Sequence, residues 1–78
     1  MSDTKILINT EYIKLDQFLK WCGIASTGGI AQELIKNDEV TVNGETETRR
    51  GRKIRPGDKI SVLGRSFVVC NSGEDIDN

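Results

Sequence analysis

Two hydrophobic periods divide the chain. Ile6 and Ile8 alternate with Leu7 and Asn9 as in a short strand, although Leu7 breaks strict alternation. Asn9-Thr10-Glu11 predicts a turn. From Leu15 the spacing changes: Leu15, Phe18, Leu19 and Cys22 fall at i, i+3, i+4 and i+7, one face of a short helix, with Asp16, Gln17 and Lys20 opposite. Gly23 is placed to end that helix in a left-handed conformation. Thr27 predicts the N-cap of a second helix, with Ile30, Ala31, Leu34 and Ile35 as its apolar stripe and Asn37-Asp38 as its end. Period two then returns at Val40 and Val42. Asn43-Gly44 predicts a type I′ hairpin that brings Glu45 to Thr48 back beside them. Pro56-Gly57-Asp58 predicts another turn, Ile60, Val62 and Leu63 a strand, Gly64-Arg65 a reversal, and Phe67-Val68-Val69 the last strand. The expected fold class is α+β. Two short helices pack on a small, mostly antiparallel sheet of about four to five short strands, the last four running as a meander.

Composition narrows this picture. The 78 residues are enough for one small domain, expected over residues 1–72, with 73–78 a flexible acidic tail. No apolar run approaches the ~20 residues that span a bilayer, and the first residues lack the order of a signal peptide, so a cytoplasmic protein without a membrane partner is expected. Two distant cysteines, Cys22 and Cys70, make no disulfide framework, and histidine is absent; neither metal nor cofactor is expected. No serine, cysteine or carboxylate has an activating partner in the pattern, which argues against an enzyme.

Charge changes the picture most. Eleven Lys and Arg face twelve Asp and Glu overall, yet five of the seven residues from Arg49 to Arg55 are cationic. Four of these five are arginines, whose planar guanidinium forks bind phosphate oxygens bidentately. Only Glu45 and Glu47 stand close enough in sequence to neutralise them. In an extended segment Arg50 and Arg52 would share one face and Arg49 and Lys53 the other. A bulge at Gly51 could gather them all. The run predicts either a phosphate-binding surface or a solvated loop. A second candidate is the helix start at Thr27, Gly28 and Gly29. There free N–H groups attract anions and the glycines leave the backbone open, either to a ligand or to close packing against the first helix. Tyr12 and Phe67 are expected in the core, and Trp21 at its edge.

Five segments, in order, resemble the S4 domain, an RNA-binding module. They are Lys14-Leu15-Asp16-Gln17-Phe18-Leu19, Gly23-Ile24-Ala25-Ser26-Thr27, Ala31-x-x-Leu34-Ile35, Val40-x-Val42-Asn43-Gly44 and Pro56-Gly57-Asp58-x-Ile60. The Gly-Gly pair and the Arg-Arg-Gly-Arg-Lys run are similar to the small stand-alone bacterial YaaA/YbcJ-type members of that superfamily. The resemblance implies the alpha-L motif and an RNA-binding face made by both helices and the following hairpin. On it would lie Lys14, Asp16, Gln17 and Lys20 from the first helix, and Thr27, Gly28, Gly29, Gln32 and Lys36 from the second. Asn43 and Gly44 would shape the hairpin, and Arg49, Arg50, Arg52, Lys53 and Arg55 would grip phosphates. One departure stands out: the family pattern has arginine after the helix-opening serine, and Gly28 occupies that place. The expected partner is structured RNA, ribosomal or otherwise folded, together with ribosome-associated proteins, bound by a non-catalytic monomer. The alternative is an adaptor whose basic run docks an acidic protein.

Overall fold

Each helix stops where the sequence removes the means to continue it. In the computed structural model, which describes residues 3–71, helix α1 spans Leu15–Trp21 and helix α2 spans Gly28–Lys36. Gly23, at φ +85°, turns the chain out of α1, and the Ala25 N–H closes that turn onto the Leu19 carbonyl at 3.0 Å. The Thr27 hydroxyl oxygen accepts the Ile30 N–H at 3.1 Å and so caps α2. Asp38 adopts φ +62° beyond its C-terminus, a place glycine usually takes, and lets the Glu39 N–H reach back to the Leu34 carbonyl. The acidic tail expected over 73–78 lies outside the described residues.

The strands are β1 (Thr4–Ile8), β2 (Ile13–Lys14), β3 (Val40–Val42), β4 (Glu45–Thr46), β5 (Lys53–Ile54), β6 (Lys59–Val62) and β7 (Arg65–Asn71). Five of them form one sheet in the order β1-β7-β6-β3-β4, and β2 pairs with β5 in a separate two-stranded ladder. All pairings are antiparallel except β1 with β7. The α+β class therefore holds, but the four-strand meander does not. β4 stays on an edge, β5 leaves the sheet to meet β2, and β6 returns to the other side of β3. Asn43 (φ +53°) and Gly44 (φ +89°) form the expected hairpin, while the return strand is limited to Glu45–Thr46.

Alternation along the strands builds one core. Ile8, Val40, Val42, Ile60, Val62, Phe67 and Val69 turn inward to meet Leu15, Phe18, Leu19, Ala31 and Ile35 of the helices. Phe18 and Phe67 meet edge to face, with ring centroids 6.1 Å apart. The small outer ladder adds Ile54, fully buried under α1. Two apolar residues expected inside are not there: Tyr12 is 37% exposed, and Ile30 is 45% exposed in α2, whose buried positions are Ala31 and Ile35. Trp21, expected at the edge of the core, is 63% exposed, because the stripe of the seven-residue α1 is filled by Leu15, Phe18 and Leu19.

The last reversal also differs from expectation. It is Leu63-Gly64, not Gly64-Arg65, and Leu63 takes φ +52° with its side chain exposed. A left-handed conformation costs an L-residue roughly 1–2 kcal/mol. Leu63→Asn, which tolerates that conformation, is therefore expected to raise stability by about 1 kcal/mol in urea unfolding. An unchanged or lower midpoint would contradict the strain.

Candidate nucleic-acid interface

Residues 49–52 form a tight turn over the start of α1, and backbone bonds fix them there. The Leu15 N–H donates to the Arg52 carbonyl at 2.8 Å and the Asp16 N–H to the Arg50 carbonyl at 3.1 Å. Lys14, the N-cap residue, offers no side-chain cap, so the basic run itself supplies acceptors for the first helical turn. Asp16 Oδ1 takes the Gln17 N–H at 2.8 Å. The helix start beside the run is thus that of α1, with its donors already used.

Glu47 fixes the side chains. It is the one buried charged residue among those described, 6% exposed, because the two-residue hairpin sets it opposite Val40 on the core side. Its carboxylate accepts from Arg49 Nε at 3.0 Å, Arg49 Nη2 at 3.2 Å, Arg52 Nη1 at 2.9 Å and the Arg49 N–H at 2.9 Å. The bonds from Arg49 and then Arg52 hold the carboxyl down at about 2. The run is therefore not left unneutralised, as its sequence suggested: two of its arginines are committed to Glu47.

The other cations are different. Arg50, Lys53, Arg55 and, from β2, Lys14 are exposed and make no ion pair among the described residues. Lys14 stands directly opposite Lys53 in the β2–β5 ladder. Like charges in that position repel, and an anion between them removes the repulsion. Arg49, Gly51, Arg52, Lys53, Arg55 and Asp58 line an open concavity of about 580 Å³. Asp58 is the one acid on its lining, and its oxygens are tied to neutral donors rather than to a cation: Oδ2 accepts the Arg55 N–H at 2.8 Å and Oδ1 accepts Asn43 Nδ2 at 3.1 Å. Asn43 Oδ1 in turn accepts the Lys59 N–H at 3.0 Å, so Asn43 pins the hairpin to the Pro56-Gly57-Asp58 turn.

The helices carry the remaining candidates. Gln17, Lys20, Gln32 and Lys36 are exposed on α1 and α2, which pack against each other. At the α2 start, close packing does not explain the glycines. A Cβ at Gly28 would meet nothing within 4 Å, and one at Gly29 only the Thr27 hydroxyl at 3.8 Å. Cys22 is half-buried, and burial pushes its thiol up, away from a reactive thiolate. Tyr12, expected in the core, instead lies beside the run: Lys53 Nζ is 5.0 Å and Arg55 Cζ 5.9 Å from its ring centroid. Its place between a polar turn and the first motif was the available signal.

The S4 domain family model matches residues 6–70. The probable ribosome maturation protein RlbA of Bacillus subtilis is 45% identical over 67 residues, covering 85% of this chain and 94% of that protein. The small ribosomal subunit protein uS4 of Chlamydia caviae is 31% identical over 77 residues, 99% of this chain but 37% of uS4. The solution structure of YbcJ from E. coli, described as an αL motif involved in RNA binding, superposes with a TM-score of 0.69 at 28% identity, covering 90% of each chain.

Glu47 makes stability depend on acid. Its folded pKa of about 2 lies below the ordinary 4.5, so its contribution is complete above pH 4.5 and lost as pH falls toward 2. Glu47→Gln is expected to lower stability at neutral pH by about 1–3 kcal/mol, as for lost charge-assisted hydrogen bonds. In urea titrations the gap to wild type should close across that window. A gap that persists at the acid end would contradict the pairing.

Proposed function

The chain belongs to the S4 domain family, and we propose that it is a non-catalytic protein that grips structured RNA, ribosomal RNA above all, through the face around Lys14, Arg50, Lys53 and Arg55. Its fold is the αL RNA-binding motif. The observation that carries the proposal is the Lys14–Lys53 pair, held face to face beside two more unpaired cations. Folding alone gains nothing from that arrangement; a phosphate backbone does. An A-form helix hides its major groove from side chains, so shape and phosphate spacing are what such a surface can recognise. Arg49 and Arg52 hold the loop, and Arg49, still largely exposed, adds a peripheral contact. Lys20, Gln32 and Lys36 extend the surface along the helices, and the open backbone at Gly28 and Gly29 gives a phosphate room at the Thr27 cap. Similarity to a probable ribosome maturation protein supports ribosomal RNA as target and the cytoplasm as its place. A monomer is part of the proposal.

About four phosphate contacts imply a slope of log K against log salt of roughly −3 to −4 on duplex RNA, borrowing the DNA coefficient. Reversing Arg50 and Lys53 to glutamate is expected to weaken binding on the order of a hundredfold. Fluorescence anisotropy at several salt concentrations checks both. Affinity indifferent to salt and to the double reversal would refute the proposal, and a partner retained from lysate after nuclease treatment would point to an acidic protein instead.

Gly28→Arg restores the family's arginine at a position with ordinary backbone and open space. It is expected to steepen the salt slope by roughly one and to tighten binding several-fold in the same assay. An unchanged slope would place the α2 start away from the RNA.

A further inference from the structure

A second groove adjoins the basic concavity at Tyr12. Asn9, Thr10, Tyr12, Ile13, Gln17 and Trp21 are among its lining, and it encloses about 310 Å³. Neither ring is used by the core, yet neither is loose. Trp21, 63% exposed, donates its indole N–H to the Leu7 carbonyl at 3.0 Å, and Tyr12 lies under Lys53 and Arg55. The side-chain amides of Asn9 and Gln17 make no hydrogen bond among the described residues.

We infer that this groove receives one unpaired nucleobase of a bound RNA. A base offers its flat face to an aromatic ring and its edge to the free amides of Asn9 and Gln17. Its own phosphate then falls to the cations on the Tyr12 wall. The volume is at the small end of the ~300–1,000 Å³ typical of ligand clefts, suited to one base rather than a stack. An apolar peptide would cover the same rings but leave Lys53 and Arg55 unmatched; charge complementarity selects the nucleotide. The inference rests on the RNA-binding proposal above. It adds that the target carries an unpaired nucleotide next to the helical part gripped by the basic face.

Trp21 is the single tryptophan of the chain, so its emission reports on the groove directly. A blunt RNA duplex and the same duplex with one bulged adenosine are titrated into the 78-residue chain. The bulged RNA is expected to quench Trp21 and to bind roughly tenfold tighter, the effect of one base–aromatic stack. Tyr12→Leu and Trp21→Leu should bring the ratio of the two affinities close to one. Equal affinities in wild type with unaltered emission would overturn the inference and leave the RNA proposal standing. So would a bulge preference that survives both substitutions. Failure of both RNAs to bind at low salt would overturn the two together.

Discussion

A carboxylate on the core side of an edge strand must find cations, and Glu47 finds them in the run that follows it. The hairpin register leaves it no other place: Val42 pairs with Glu45 and Thr41 with Thr46, so Glu47 falls opposite Val40. An isolated buried carboxylate would be costly to keep charged. Arg49 and Arg52 reach it from either side of the turn at Gly51 and satisfy it with several charge-assisted bonds. The basic run is thereby sorted into two kinds of cation. Those bound to Glu47 set the shape of the loop. Those left over, Arg50, Lys53 and Arg55, are presented by that shape.

The same loop completes α1. A seven-residue helix without a side-chain cap is weak on its own, and carbonyls from Arg50 and Arg52 take the N–H groups it leaves open. The β2–β5 ladder then ties Lys53 and Ile54 to the residues just before the helix. Loop and helix are thus tied together through their backbones, which sets where the Cα atoms of Arg50 and Lys53 stand relative to α1. A rigid lattice of phosphates is met best by a surface that need not be ordered on binding.

Much of this was legible in the sequence. The stripe of Leu15, Phe18 and Leu19, the Thr27 cap and the Asn43-Gly44 turn rest on local physics, and the structure holds all three. Less local features escaped. The two-residue ladder of Ile13-Lys14 with Lys53-Ile54 is too short for any period to announce it. Trp21 lies at the edge of a stripe too brief to decide which residues it buries. Leu63 stands at a positive φ that its own preference opposes, so tertiary closure between β6 and β7 decided there. Glu47 is a separate case, since the hairpin register already assigned it to the core side. Counting nearby acids in sequence hid that their geometry, not their number, determines which arginines stay free.

Exposed rings alone say little, because single apolar residues are common on protein surfaces. Tyr12 and Trp21 are informative because they share a groove and because one of them touches the cations of the basic face. A purely electrostatic surface would bind any polyanion of suitable spacing. A purely aromatic groove would accept any flat or apolar group. Placed wall to wall at Tyr12, the two features fit a ligand whose charged backbone and flat side groups alternate at short intervals. Nucleic acid has that chemistry, and an acidic protein does not, since its charges sit on the side chains and its backbone is neutral. The junction at Tyr12 thus fits a nucleic acid better than the acidic proteins that the unpaired cations Arg50, Lys53 and Arg55 alone would attract.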